Sequence, residues 1–146
     1  MSDFAGIMLR RLRYHLSPQW DIYHHLAGQV GGLRVIDIGS GTGVGALQLA
    51  RNALVVTGID RDVEAVAFAQ QTFPVGPLWF VVHDISEPMP ITLLYDAAVM
   101  VEVLEHIEDY NQALRNVRDL LAPGGKLYVT ARNANADLRR NDLHLR

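Results

Sequence analysis

The chain has 146 residues, of which 49% are hydrophobic and 20% charged, a length and composition that fit one domain with an apolar core. Its 16 acidic and 13 basic residues give a net charge of −3, which argues against binding a polyanion or an anionic membrane through bulk charge. It contains no cysteine, which excludes disulfides, thiolate zinc sites and cysteine nucleophiles.

Two helices are predicted ahead of the first strand. Apolar residues recur at helical spacing over residues 4–16, which predicts an amphipathic flanking helix. Ser17 and Pro18 supply an N-cap and a first-turn proline for a second helix over residues 18–27, which the glycines from Gly28 onward end. Residues 1–32 are therefore expected to flank the rest of the domain.

Strands and helices then alternate. Strands are predicted over residues 33–38, 54–59, 78–82, 95–101 and 126–131, and helices over residues 43–52, 62–71 and from Asp109 to the Pro-Gly-Gly at 123–125. This alternation implies right-handed crossovers and a parallel sheet. The predicted fold is α/β, a doubly wound and mostly parallel sheet of about five strands over residues 33–132. A polar tail, residues 133–146, completes what we expect to be one domain.

A glycine turn, DIGSGTG at residues 37–43, follows the first strand. Its alternating glycines, Gly39, Gly41 and Gly43, let the backbone turn tightly and let a ligand approach without interference from Cβ atoms. The spacing Gly41-x-Gly43-x-x-Ala46 also satisfies the dinucleotide fingerprint. The glycines therefore indicate a nucleotide-like cofactor without choosing between candidates.

Asp37 lies just before this turn. A carboxylate there would repel a pyrophosphate but would attract the ammonium group of a methionine moiety, directly or through water. Asp37 thus favours S-adenosylmethionine over NAD. The alternative is a buried acid that only caps the glycine turn through backbone N–H groups.

Two further acids follow later strands. Asp60 ends the second strand, where its carboxylate can accept hydrogen bonds from both hydroxyls of a ribose; the alternative is an N-cap for the helix that starts near Asp62. Asp84 follows the third strand, where it can accept the exocyclic amine of adenine while the N–H of Ile85 meets a ring nitrogen. Ile85 and Arg61 would stack on the base. The alternative for Asp84 is a loop acid that faces solvent.

Five segments, DIGSGTG, GID, HDI, YDAAVMVEVLEHIED and LLAPGGKLYVT, resemble in order the motifs of class I S-adenosylmethionine-dependent methyltransferases, particularly the small-molecule and ubiquinone-biosynthesis-like group. The resemblance covers about residues 33–132. It implies methyl transfer to an oxygen or nitrogen of a small molecule, with S-adenosylhomocysteine as product. It assigns the ribose to Asp60, the adenine to Asp84, and the methionine portion to Asp37 and the glycine turn. The full predicted cofactor set is Asp37, Gly39, Ser40, Gly41, Thr42, Gly43, Asp60, Arg61, Asp84, Ile85, Val101 and Glu102.

The segment EVLEH, residues 102–106, follows the fourth strand, beside the place where such enzymes present the methyl group. Glu102 or His106 is the predicted general base for a hydroxyl acceptor. Its ExxEH spacing also resembles the Mg²⁺ site of ubiquinone-type O-methyltransferases and the metal site of small-RNA 3′-end methyltransferases. Glu102, Glu105 and His106, with His144 as a further ligand, are the residues of this metal alternative. The other alternative is that Glu105 and His106 only brace the loop.

Class I methyltransferases usually have two more strands after the fifth, and the chain has no room for them. The resemblance therefore implies a C-terminally truncated version. The fifth strand would then be an open edge, which predicts a dimer or a partner chain that covers it. A cofactor-binding module without turnover of its own stays open as an alternative.

Other functional classes receive less support. A nicotinamide oxidoreductase would fit the glycine turn, but Asp37 and the absence of an evident Tyr-x-x-x-Lys dyad disfavour it. RNA 2′-O-methylation remains open only through the metal reading of ExxEH, so a nucleic-acid partner is not expected. No apolar run approaches the roughly 20 residues that cross a bilayer, and Asp3 and Arg10 interrupt the N-terminus where a secretory signal would lie. We expect a cytoplasmic protein without a membrane partner.

Overall fold

The computed structural model of the chain describes residues 18–131. The predicted helix over residues 4–16 and the polar tail lie outside this range. The helices are α1 (Pro18–Ala27), α2 (Val44–Ala50), α3 (Val63–Thr72) and α4 (Tyr110–Leu120). The strands are β1 (Arg34–Ile38), β2 (Val55–Asp60), β3 (Leu78–Val82), β4 (Tyr95–Val101) and β5 (Leu121–Thr130).

The five strands form one sheet in the order β3-β2-β1-β4-β5, and every neighbouring pair is parallel. After β3 the chain crosses back over the sheet to place β4 on the other side of β1. The strand order therefore reverses between β1 and β4, and such sheets bind ligands in the crevice at that point. The prediction of a doubly wound parallel α/β sheet is confirmed.

The two central strands are buried on both faces. Val35 and Ile36 of β1 are 0% exposed, as are residues 97–100 of β4. Near-continuous apolar runs of this kind are typical of parallel strands that are covered on both sides. Asp37 is the exception in β1, because it is a carboxylate with no exposed surface.

The helices cover opposite faces of the sheet. Apolar residues of α1, α2 and α3 form one cluster with Val35 and Val56, whereas Val117 and Leu120 of α4 form a second cluster with Ile36. Neighbouring residues of β1 thus point into different cores, as the two-residue period of a strand requires. Because the helices lie on the two faces of the sheet, the carboxyl ends of the strands stay accessible to a ligand.

The start of β5 was wrongly predicted. The Pro-Gly-Gly at residues 123–125 suggested that the helix stops there and that the strand begins at Lys126. In the structure, Leu121 follows α4 directly and pairs with Tyr95, while Lys126 pairs with Ala97, so β5 bulges between these pairs. Gly124 adopts a φ of 79°, which lets the bulge form within the strand. Pairing with β4 thus overrides a local signal that reads as a break.

Candidate functional site

The carboxyl ends of β1, β2 and β4, together with the loop after β3, line one open cleft of about 480 Å³. This is the size of a small-molecule or cofactor site. The residues of the predicted cofactor set that line the cleft are Gly39, Ser40, Gly41, Thr42, Asp60, Arg61, Asp84, Ile85, Val101 and Glu102. Asp37 and Gly43 do not line it. The structure thus brings most of the set together, and the contact assigned to each residue stays a prediction.

The glycine turn curls over the end of β2. The backbone N–H groups of Gly39 and Ser40 both donate to the Ile59 carbonyl, at 2.8 and 2.9 Å. Gly41 and Gly43 have φ values of 55° and 91°, in the left-handed region that favours glycine. A Cβ on Gly43 would lie 2.6 Å from the ring of Phe80, whereas a Cβ on Gly41 would meet no atom within 4 Å. The open side of Gly41 is where a ligand can approach the backbone.

Asp60 ties the glycine turn to the start of α3. Its Oδ2 accepts from the N–H of Gly41 at 2.9 Å, and its Oδ1 accepts from the N–H of Asp62 at 2.8 Å. A carboxylate has about four acceptor sites, so it keeps capacity for the two hydroxyls of a ribose. The alternative assignment of Asp60 as a helix N-cap is wrong, because Asp62 caps α3 by accepting from the N–H groups of Glu64 and Ala65.

Asp37 lies beneath the cleft rather than on its wall. The Tyr23 hydroxyl donates to its Oδ1 at 2.9 Å, and its buried Oδ2 finds no hydrogen-bond partner among residues 18–131. Burial raises the pKa of Asp37 to about 7, the Tyr23 hydrogen bond works against this shift, and the charge of Asp60 adds to it. The alternative that Asp37 caps the turn is not what the structure shows, since the Oδ1 bond comes from a helix side chain.

The loop after β3 presents Asp84 and Ile85 to the cleft. Asp84 is half-buried and its Oδ1 accepts from the N–H of Ser86 at 2.9 Å. This backbone hydrogen bond lowers the pKa of Asp84, and the nearby charges of Arg61 and His83 lower it further, against a smaller opposing effect of burial. Asp84 is therefore ionised at neutral pH, as an acceptor for an amine requires. Both the adenine contact and the alternative of a loop acid that faces solvent stay predictions for this residue.

Glu102 follows β4 with a left-handed backbone. Its φ is 55°, and no other non-glycine residue among residues 18–131 has a positive φ. Its N–H donates to the Thr130 carbonyl at 2.9 Å, and its Oε2 accepts from the Gln19 side-chain amide at 2.8 Å. Strained backbone of this kind persists where the surroundings hold it, often beside functional sites. Here the strain turns Glu102 toward the mouth of the cleft.

The EVLEH residues do not converge on one point. Residues Leu104–His106 form a 3₁₀ turn in which the His106 ring lies 4.0 Å from a Glu105 oxygen, with the His106 side chain 71% exposed. His106 and Glu102 line the cleft, whereas Glu105 does not. Within residues 18–131, no three histidine, aspartate or glutamate side chains group in a way that would hold a metal ion. The Mg²⁺ alternative gains no support there, and His144 lies outside the described residues.

Two residues of α1 make hydrogen bonds at the cleft that the sequence did not predict. Gln19 and Tyr23 both line the cleft, and each donates to a carboxylate, of Glu102 and Asp37 respectively. Their spacing of four residues puts them on one helix face, which is the signal that the sequence offers. That face was expected to pack against the domain, but not to bond acidic residues of the site.

No helix in the described part of the chain is long and apolar enough to cross a membrane.

Comparisons with known proteins identify the family of the chain. The family described as a methyltransferase domain matches residues 8–145. A ubiquinone biosynthesis O-methyltransferase of Chromobacterium violaceum is 31% identical over 112 residues, which cover 73% of this chain and 47% of that protein. The chain spans about half the length of the curated relatives it matches.

Solved structures share the fold as well. The N-methyltransferase NodS from Bradyrhizobium japonicum, in complex with S-adenosyl-L-homocysteine, is 28% identical with a TM-score of 0.66; the likeness covers 79% of this chain and 63% of NodS. The [4+2]-cyclase SpnF is 30% identical with a TM-score of 0.65, and that likeness covers 73% of this chain and 43% of SpnF. The fold is therefore shared by proteins whose names carry different reactions.

Proposed function

The chain belongs to the methyltransferase domain family, with the class I fold, and on this premise we propose that it binds S-adenosylmethionine and transfers its methyl group to a small-molecule oxygen or nitrogen. S-adenosylhomocysteine is the product. One observation carries the proposal: Asp60, Asp84 and the glycine turn, separated in the sequence, line a single cleft of about 480 Å³. Kinship with an O-methyltransferase and an N-methyltransferase supports it.

The chemistry of the cleft suits each part of this cofactor. Asp84 is ionised at neutral pH, with a pKa that the Ser86 N–H lowers further, so its carboxylate can accept the amine of adenine. Asp60 keeps acceptor sites for the ribose hydroxyls. The open side of Gly41 lets the methionine portion approach the backbone. Beneath the turn, the Oδ2 of Asp37 has no hydrogen-bond partner among residues 18–131, and in its ionised form it provides a negative pole for the ammonium group, directly or through water.

Catalysis in this site is mainly positioning. The bound cofactor supplies a methyl group on a sulfonium, which already carries a good leaving group, so the protein has to bring the acceptor atom into line. Glu102 or His106 takes the proton of a hydroxyl acceptor in this proposal, since both line the cleft. Gln19 holds the Glu102 carboxylate at 2.8 Å and so limits the positions from which it can act.

A cofactor-binding module without turnover of its own is the second candidate. The likeness to a protein named as a [4+2]-cyclase keeps this candidate open, because membership of this fold does not by itself establish methyl transfer. RNA 2′-O-methylation is not favoured, since it depended on a metal site whose residues do not group in the described range. A second chain that covers β5, and a cytoplasmic location, stay predictions.

Methyl transfer separates the two candidates. The full chain is incubated with methyl-labelled S-adenosylmethionine and a panel of phenols and amines, and the labelled product is counted. Turnover that Glu102→Gln or His106→Gln lowers by about 100-fold supports the enzyme, since general bases contribute roughly this much. Cofactor binding without turnover favours the module. Absence of both binding and turnover would contradict both candidates.

A further inference from the structure

Asn116 is a buried amide on α4 that reaches the loop after β3. It is 5% exposed, its Nδ2 donates to the Ile85 carbonyl at 2.8 Å, and its Oδ1 accepts from Gln112 at 2.9 Å. The helix lies over the sheet face opposite α1, and 31 residues separate Asn116 from Ile85. Both ends of this amide are therefore committed, and its orientation is set.

The loop that Asn116 holds has little support from regular structure. Residues 83–94 connect β3 to β4 without a helix. The loop start is tied to β2 by the N–H of His83, which donates to the Asp60 carbonyl at 3.0 Å. Asp84 then closes a local turn with Ser86 and Glu87. The bond from Asn116 joins this turn to the core beneath it.

One peptide unit connects Asn116 to the Asp84 carboxylate. The carbonyl of Ile85 and the N–H of Ser86 belong to the same planar peptide group, so they rotate together. Asn116 holds the carbonyl end at 2.8 Å, and the N–H end donates to Asp84 Oδ1 at 2.9 Å. A rotation that frees the carbonyl would also withdraw the N–H donor that orients the Asp84 carboxylate.

We propose that Asn116 is a positioning residue for recognition of the purine, because it fixes the peptide group that orients Asp84. This inference rests on the proposed function, in which Asp84 accepts the exocyclic amine of adenine. A base that carries an oxygen at that position would face the Asp84 carboxylate with an acceptor and would be rejected. Asn116 thus controls discrimination between a 6-amino and a 6-oxo purine, although it lies on a helix of the opposite face.

The test compares S-adenosylhomocysteine with S-inosylhomocysteine by calorimetry on the full chain. Asn116→Leu removes the donor while it keeps the number and branching of the side-chain heavy atoms. Leaving the Ile85 carbonyl unsatisfied should weaken S-adenosylhomocysteine binding by about tenfold and reduce the preference over the inosyl ligand by a similar factor. Asn52→Leu is the matched control, because Asn52 makes the same type of bond, to the Ala27 carbonyl at 2.9 Å, away from the cleft. It should leave the preference unchanged.

An unchanged preference in a folded Asn116→Leu protein would overturn the inference. If the unaltered chain binds neither ligand, the proposed function and the inference both fail. If the unaltered chain binds S-adenosylhomocysteine but Asn116→Leu keeps its preference, only the inference fails. Should Asn116→Leu not fold, Asn116→Asp serves instead, since it keeps the size and the acceptor for Gln112. Its ionised carboxylate faces the Ile85 carbonyl with an acceptor, whereas its protonated form donates again.

The preference of Asn116→Asp should therefore be low at about pH 8 and recover toward about pH 5, where a buried carboxyl is protonated. Asp84 stays ionised over this range because its pKa is lowered. Any effect of Asp37 on binding cancels in the ratio of the two ligand affinities, since both ligands carry the same ammonium group. A preference in Asn116→Asp that equals that of the unaltered chain at both pH values would overturn the inference.

Discussion

The hydroxyl of Tyr23 donates a 2.9 Å hydrogen bond to Oδ1 of Asp37 inside the core. This hydrogen bond joins α1 to β1, the central strand, just below the glycine turn. The ring of Tyr23 also packs on α2, where it lies so close to Gly45 that a Cβ at that position would clash with it. Through Tyr23, and through Gln19 at Glu102, α1 becomes part of the candidate site.

Asp37 should make the stability of the unliganded chain fall with rising pH. Its pKa in the folded chain, about 7, lies above the ordinary 3.8, so the folded state holds more protons than the unfolded state between these values. The free energy of unfolding therefore decreases from about pH 4 to pH 7, by at most about 1.4 kcal/mol per pH unit. Urea denaturation at several pH values measures this. Asp37→Asn should lack this decrease, and an identical pH dependence in both proteins would contradict the assignment.

Tyr23→Phe should extend the pH-dependent loss of stability to higher pH. The Tyr23 hydrogen bond favours the ionised form of Asp37, so its removal raises the pKa of Asp37 further and extends the decrease in stability above pH 7. We also expect a loss of about 1 kcal/mol in the free energy of unfolding. Tyr95→Phe is the control, since it removes another buried hydroxyl bond, to Thr57 at 3.0 Å. A decrease that extends to higher pH in Tyr95→Phe, or that does not in Tyr23→Phe, would argue against the pairing of Tyr23 with Asp37.

Asp60→Asn should remove cofactor binding while the chain stays folded. The amide keeps one oxygen but lacks the charge that strengthens hydrogen bonds from ribose hydroxyls, so we expect a loss of about 100-fold in affinity for S-adenosylhomocysteine. Asp109→Asn is the control, because Asp109 caps α4 outside the cleft and asparagine is as good an N-cap as aspartate, so folding and affinity should both be preserved. Calorimetry gives the affinities, and retention of affinity in Asp60→Asn would refute the ribose assignment.

Two alanine substitutions in the glycine turn should separate binding from folding. Gly43→Ala places a Cβ 2.6 Å from Phe80, in addition to the backbone strain, so it should destabilise the chain by several kcal/mol, on the order of an overpacked core. Gly41→Ala meets no atom within 4 Å and should cost about 1 kcal/mol in stability, yet block the ligand. Thermal unfolding and calorimetry report the two effects. Similar affinity in Gly41→Ala and the unaltered chain would show that no ligand approaches there.

The sequence was sufficient for the parts of the fold that depend on local pattern. The bounds of β3 and β4 agree with the predicted strands over residues 78–82 and 95–101, because apolar runs between turn signals are typical of buried parallel strands. Convergence of Asp60, Asp84 and Glu102 on one cleft also followed, since parallel strands end at the same edge. The bounds of α1 agree as well, and the remaining helix and strand ends differ by at most about three residues, apart from the start of β5.

The remaining features depend on packing between distant segments. The pairing of Leu121 with Tyr95 contradicts the local reading of Pro-Gly-Gly, and no periodicity reports it. Tyr23 and Asn116 look like ordinary helix residues, and their partners, Asp37 and Ile85, lie 14 and 31 residues away. Contacts of this kind arise only when the helices are laid on the sheet.

Titration of the full chain with S-adenosylhomocysteine and with NADH, by calorimetry under the same conditions, tests the central claim most directly. Both ligands carry an adenosine that Asp60 and Asp84 would hold, so they differ at the glycine turn and Asp37. We predict one-to-one binding of S-adenosylhomocysteine and no measurable binding of NADH, because a pyrophosphate above Asp37 is repelled. Binding of NADH without binding of S-adenosylhomocysteine would contradict the account.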